Sequence, residues 1–251
     1  MKSLFFIPVY NQAAELPGLI RELRAEPLPC DTLLFVNNGS DDGSELLIRE
    51  SGFPWIDLER NRGIGAAFMA AADRALAGGY ELFGVLAGNG KMLPGEMARV
   101  MGPVLRGEAD YVTGSRYLPG GSAPNLPGFR SWAIPAVTQV VNMLLGVRIT
   151  DATCGYRCYR VELLRRARFD WHAAWLAGYG FEYYLYGKVL LDPSIRAIEV
   201  PVTMRYPPAG SRYTKIRAIT GWFDMLRPFL VARFDGQGFA APLREAACHE
   251  T

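Results

Sequence analysis

Several clusters of polar residues and glycine each follow an apolar run: Tyr10-Asn11, Asn37-Asn38-Gly39-Ser40-Asp41-Asp42-Gly43-Ser44, Asn61-Arg62-Gly63-Ile64-Gly65, Gly88-Asn89-Gly90-Lys91 and Ser115-Arg116-Tyr117. Glycines in such loops let backbone approach a ligand closely, and a helix starting just after Gly63 would turn its positive end towards an anion. The G-x-G at Gly63 and Gly65 has no third glycine, so it is only a loose likeness to a dinucleotide fingerprint. His172 and His249 are the only histidines, which argues against a histidine-centred triad or metal site. The four cysteines, Cys30, Cys154, Cys158 and Cys248, lack the C-x-x-C spacing of a zinc site.

The elements that position these clusters are legible from periodicity. Residues 2–11 (KSLFFIPVYN) contain an apolar run too short for a helix and closed by Pro8, which suits a buried parallel strand. Residues 14–25 place Leu16, Leu19, Ile20 and Leu23 on one helical face. Further strands are expected at 31–36, 55–58, 81–87, 109–117 and 195–202, and helices at 45–50, 61–77, 95–106, 161–167 and 178–191. Ser40 or Asp41 is expected to cap the helix at 45. The alternation predicts an α/β fold with a parallel sheet between helices, and ligands then bind where the strands end. Tyr10 and Asn11 would line that crevice.

Residues 118–129 are rich in proline and glycine and read as a mobile loop; 131–147 is mostly apolar, kinked at Pro135 and flanked by Arg130 and Arg148. The helix expected over 216–234 carries aromatics beside arginines. Both stretches suit helices buried in a core or lying in a membrane interface, and the second suits packing on a partner subunit in a homo-oligomer equally well. The tail from Asp235 reads as frayed. The 251 residues suit one large domain, divided at about 215 from this C-terminal segment. A net charge of +2 argues against nucleic acid as partner. No apolar run is long enough to span a bilayer, and the absence of a secretory leader suggests a cytosolic protein with reduced thiols.

Taken together and in order, the segments Pro8-Val9-Tyr10-Asn11, Val36 to Ser44, Asn61-Arg62-Gly63, Val112 to Tyr117, Asp151 through Gly155-Tyr156-Arg157 to Arg160, Gly178 to Glu182 and Glu199-Val200-Pro201-Val202 resemble the family 2 glycosyltransferases. Within them the likeness is to the dolichyl-phosphate mannose synthase-like, polyprenyl-phosphate branch, over about 3–215. The resemblance implies a GT-A fold, a nucleotide-sugar donor, a lipid-phosphate acceptor and a place on the inner face of the cytoplasmic membrane. It implies that Pro8, Val9, Tyr10, Asn11, Asn37, Asn38 and Gly39 hold base and ribose, with Asn61 and Gly63 on the same donor side. Gly88 and Asn89 would lie at the diphosphate, and Arg116, Arg130 and Lys215 at the lipid phosphate. Asp151 would hold an arginine or touch the sugar, with a helix cap as the plain alternative. Tyr156, Arg157 and Glu182 would fall near the acceptor.

The departures concern the metal. The family's D-x-D falls on Ala87-Gly88-Asn89, and its Asp-Asp pair on Asn37-Asn38. Mg²⁺ or Mn²⁺ wants anionic oxygen, and an amide carbonyl is a poor substitute. Three readings stay open. Lys91 neutralises the leaving diphosphate without a tightly held metal; or the donor is unusual, with Asn38 both donating to and accepting from the base; or the chain binds nucleotide or a partner silently. A glycosyltransferase for a hydroxyl acceptor, with Asp151 or Glu182 as base, is the rival enzyme, and a nucleotidyltransferase a more distant one.

Overall fold

The computed structural model describes residues 1–166, 171–178, 180–207 and 220–234, with side chains described from 225 in the last stretch. Lys215, Tyr179 and the tail from Asp235 lie outside the described residues. Alternate residues of β1 (Ser3–Val9) face opposite sides of the sheet, and both sides are apolar. Leu4 and Phe6 enter one core; Phe5, Ile7 and Val9 enter the other. Around β1 stand β2 (Thr32–Asn38), β3 (Trp55–Leu58), β4 (Leu82–Val85), β5 (Tyr111–Ser115), β6 (Arg157–Arg160) and β7 (Ala197–Pro201), in the order β3-β2-β1-β4-β6-β5-β7. The strand order reverses between β1 and β4, the place where an open α/β sheet leaves a crevice.

The helices are α1 (Leu16–Ala25), α2 (Ser44–Glu50), α3 (Ile64–Ala77), α4 (Met97–Leu105), α5 (Gly128–Leu145), α6 (Glu162–Arg165), α7 (Gly180–Leu191) and α8 (Thr220–Phe234). One core joins α3, α5, α7 and α8 through Phe68, Val141, Phe181 and Phe229; the other joins α1, α2 and α4 through Leu19, Ile48 and Val100. Phe6 meets Phe68 edge-on at 4.7 Å and stacks on Phe83 at 5.2 Å. The C-terminal helix α8 packs on α7: Met225, Phe229 and Ala232 are buried, while Leu230 and Phe234 stay exposed.

Three local expectations are corrected. The sheet is not wholly parallel, because β6 runs antiparallel between β4 and β5, pairing Val85 with Arg157 and Thr113 with Arg157. Neither Ser40 nor Asp41 caps α2; Gly43, at φ 92°, holds the cap position, and Asp42 Oδ1 accepts the Ser44 N–H at 3.0 Å. The 118–129 loop is tied down rather than loose. Ser122 N–H donates to Val202 at 3.1 Å, Met204 N–H to Ser122 at 3.0 Å and Tyr206 N–H to Pro124 at 3.0 Å. Helix α5 buries Ala133, Ile134, Thr138, Val141 and Leu145 and exposes Phe129, Trp132, Val140 and Met143. No helix among the described residues is long and apolar enough to cross a membrane.

Candidate active site

The carboxyl ends of the six parallel strands and the amino end of β6 meet along one edge of the sheet, and the loops beyond them frame the crevice. On its β2 side the loops bind one another. Asn11, at φ 50°, donates its backbone N–H to Ser40 Oγ at 3.0 Å and its amide to Asp41 Oδ1 at 2.7 Å, and accepts the Asp41 N–H at 3.0 Å. Asn37 Oδ1 accepts the Ser40 N–H at 3.2 Å. Asn38 is buried; its amide donates to Asn61 Oδ1 at 3.2 Å and to the Gly63 carbonyl at 3.0 Å, and its Oδ1 accepts the Arg62 N–H at 3.1 Å. With both amide N–H groups engaged and Oδ1 accepting one bond, Asn38 builds the wall between the β2 and α3 loops in this structure, where the expectation from sequence turned it towards a base. Gly39, at φ 68°, lies where a Cβ would overlap the Arg60 backbone, so it joins the same wall. Val9 is in the core, leaving only its backbone to a ligand, while Pro8 and Tyr10 are half-buried at the strand end.

The amino end of α3 is not an anion site either. Gly65 N–H donates to Gly178 at 3.0 Å and Ala66 N–H to Ala177 at 3.3 Å. Gly63 and Gly65 are glycines because a Cβ on either would overlap the carbonyls of Ala177 and Leu176.

At the switch between β1 and β4, Gly88 brings the 88–91 loop against the sheet; a Cβ there would sit 2.7 Å from the Pro8 carbonyl oxygen. Asn89 Oδ1 accepts the Lys91 N–H at 3.2 Å. The Lys91 ammonium lies over the Tyr206 ring, 5.3 Å from its centroid. Burial, then the neighbouring guanidinium of Arg130 and, more weakly, that of Arg116, push the Lys91 pKa down to about 8, with Glu15 pulling the other way. Arg130 is buried in the first turn of α5, its guanidinium 5.6 Å from the Phe129 ring centroid.

Arg116 is placed differently from the expectation that it forks around a phosphate. Its Nε–H and an Nη2–H donate to the two oxygens of Asp151, both at 2.6 Å, another Nη2–H goes to Thr153 Oγ1, and an Nη1–H reaches Tyr206 Oη at 2.6 Å. Of five N–H groups this leaves one, on Nη1, unengaged among the described residues. Burial works against the charge, and Asp151 more than offsets it, so the guanidinium stays protonated. Asp151, 0 % exposed, thus holds an arginine, one of its two expected roles, and does not cap a helix. Glu199 fixes the turn in front of it, accepting from Thr150 N at 2.7 Å and Asp151 N at 2.9 Å.

Behind this pair, fully buried Arg157 donates to the Cys154 carbonyl at 3.0 Å and to Tyr111 Oη at 3.1 Å, with Glu182 Oε1 3.2 Å from its Nε. Burial raises the Glu182 carboxyl pKa and Arg157 opposes it. Tyr156 is core, its hydroxyl on the Leu93 carbonyl at 3.0 Å. Reasoning from sequence missed Tyr206, Thr153, Glu199 and Glu15. Glu199 and Thr153 lie in segments that carry the family resemblance but were given no role, and no local pattern marks Tyr206 or Glu15.

A D-x-D metal loop would occupy Ala87-Gly88-Asn89. These residues offer no carboxylate, the Asn89 carbonyl is turned back onto the Lys91 amide, and a lysine follows. Among the described residues no group of three or more His, Cys, Asp or Glu could hold a metal ion. The residues present do not fit a hard divalent cation at this loop.

Comparison with known proteins gives the family and the fold. A family model for glycosyl transferase family 2 matches residues 5–168. Polyprenol monophosphomannose synthase of Mycolicibacterium smegmatis is 33% identical over 208 residues, covering 80% of this chain and 77% of that one. Undecaprenyl-phosphate mannosyltransferase of Micrococcus luteus is 30% identical, covering 81% and 83%. Among solved structures, glucosyl-3-phosphoglycerate synthase of Mycobacterium tuberculosis, in complex with Mn²⁺, UDP and glucosyl-3-phosphoglycerate, superposes with a TM-score of 0.63 at 19% identity, covering 92% of this chain and 80% of that one. At that identity the likeness speaks for the fold, a GT-A glycosyltransferase fold.

Proposed function

The chain belongs to glycosyl transferase family 2, and we propose that it moves a sugar from a nucleotide-sugar donor to a polyprenyl phosphate. The observation that carries the reading is Tyr206 holding Arg116 and lying under Lys91 at the strand-order switch, with Arg130 buried in the first turn of α5 and its charge felt by Lys91, in a chain whose relatives are named for sugar transfer to such lipids. Cations at this place suit a reaction between two phosphate-bearing substrates.

The acceptor oxygen of a phosphate monoester is anionic at neutral pH, so no general base is needed. It forms a bond to the anomeric carbon from the face opposite the leaving group. The bond from that carbon to the diphosphate breaks, its electron pair leaves with the nucleoside diphosphate, and the configuration inverts. The work left to the protein is positioning and charge stabilisation. A hydroxyl acceptor would require a base, and Asp151 is already committed to Arg116. Arg130 takes over the phosphate-gripping role that sequence divided between two arginines, and Arg116 adds at most its remaining Nη1–H. An Arg130→Ala variant should raise the KM for polyprenyl phosphate about 10-fold or more, with nucleotide binding unchanged. Equal losses for both substrates would remove this assignment.

The exposed Phe129, Trp132, Val140 and Met143 lie along α5, which also carries Arg130, and this face would meet the membrane that holds the lipid, making the enzyme peripheral on the inner face of the cytoplasmic membrane. Flotation with anionic lipid vesicles should fall sharply in a Trp132→Glu, Met143→Glu double variant. Unchanged flotation would refute the contact.

A further inference from the structure

We propose that the crevice takes the donor diphosphate as a free anion, with Lys91 and Arg130 supplying the positive charge that a divalent cation would otherwise bring. The inference rests on the transferase reading above and concerns the same site. It starts from the misfit between loop and metal. The three residues at the end of β4 carry no anionic oxygen, and the neutral Asn89 side-chain oxygen accepts the backbone N–H of Lys91 within the loop itself. Two buried carboxylates are committed, Asp151 to Arg116 and Glu182 beside Arg157, and half-buried Glu15, within electrostatic reach of Lys91, is a single carboxylate.

The same loop presents a cation and is braced to do so. Gly90, at φ 67°, makes the turn, and the Lys91 carbonyl accepts the Arg205 N–H at 2.8 Å. Arg205 also donates to the Gly90 carbonyl at 3.3 Å and is anchored on Glu22 at 2.7 Å. Met92 bridges Met204 on the other side. Tyr206 comes next in that strap. Its ring lies under the Lys91 ammonium and its hydroxyl holds Arg116, so lysine and arginine are fixed by one side chain. Arg130 faces the same space from α5. A lysine that shares Tyr206 with one guanidinium and feels the charge of a second is poorly solvated in a half-buried crevice, and a multiply charged anion relieves both the desolvation and the mutual repulsion. The lowered Lys91 pKa agrees with that picture.

The test is calorimetry of UDP, GDP and CDP with the full chain, each in chelator, in Mg²⁺ and in Mn²⁺. One nucleotide should bind in chelator within about threefold of its affinity in metal. Lys91→Met should weaken that binding about 10- to 100-fold in every buffer, as expected for loss of a charge-assisted contact, while Lys91→Arg keeps most of it. A melting curve on each variant separates loss of the contact from loss of the fold. Binding that falls more than tenfold in chelator, or that is indifferent to Lys91→Met, would overturn the inference and leave the transferase reading standing. No binding of any nucleotide, with or without metal, would overturn both.

Discussion

An Asp151→Ala variant is expected to lose roughly 3–5 kcal/mol of stability, the usual cost of leaving one member of a buried ion pair alone. Arg116 is held by both Asp151 oxygens at 2.6 Å, and Asp151 is fully buried. Without the carboxylate, the guanidinium would keep only Thr153 and Tyr206 among its described partners and would still be charged. For a chain of this length such a loss lowers Tm by about 10 °C. Replacing both partners with apolar residues of similar volume, Arg116→Met with Asp151→Leu, should recover most of the stability, because the desolvation of two charges goes with them. It should not recover sugar transfer, because Tyr206 would lose the arginine that fixes its hydroxyl below Lys91. A single variant that melts within about 2 °C of the parent would contradict the pair's assignment.

The second large effect is expected at Gly63. A Gly63→Ala chain should lose on the order of 3 kcal/mol, from two independent causes. The residue sits at φ 89°, ψ 157°, where side chains are rarely accommodated, and its Cβ would overlap the Ala177 carbonyl. That carbonyl also accepts the Ala66 N–H, and the Gly63 carbonyl accepts from Asn38, so the strain would reach both the α3 start and the β2 loop. Gly18, in α1 with nothing within 4 Å of a Cβ, is the control; alanine there should stabilise by a few tenths to about 1 kcal/mol. If the two alanine variants melt alike, Gly63 does not make the seam described here.

How much of this was legible beforehand follows from the range of the interactions. The strand at residues 3–9 announced itself because it is apolar on both faces, whereas its place beside the strand-order switch comes from the observed strand order. Strand β6 was missed because its four residues carry arginine at both ends; Arg157 is buried only because Tyr111 and Glu182, distant in sequence, come to meet it. The Arg116–Asp151 pair spans 35 positions, so sequence could propose that Asp151 holds an arginine but not which one. The glycines at 63 and 65 look the same in sequence whether they cradle a phosphate or another strand of backbone, and here the partner is the 176–178 turn. Tyr206 had no signal, since its importance comes from a strap that folds back over two other loops.

The central claim is sugar transfer to a lipid phosphate, and the direct measurement offers the full chain labelled UDP-, GDP- and CDP-sugars with either undecaprenyl phosphate or undecaprenol in detergent. The account predicts label in the lipid phase from one donor class only, with the phosphate acceptor only, and with inverted anomeric configuration. Label on the alcohol at a comparable rate, or donor turnover indifferent to the lipid, would contradict it.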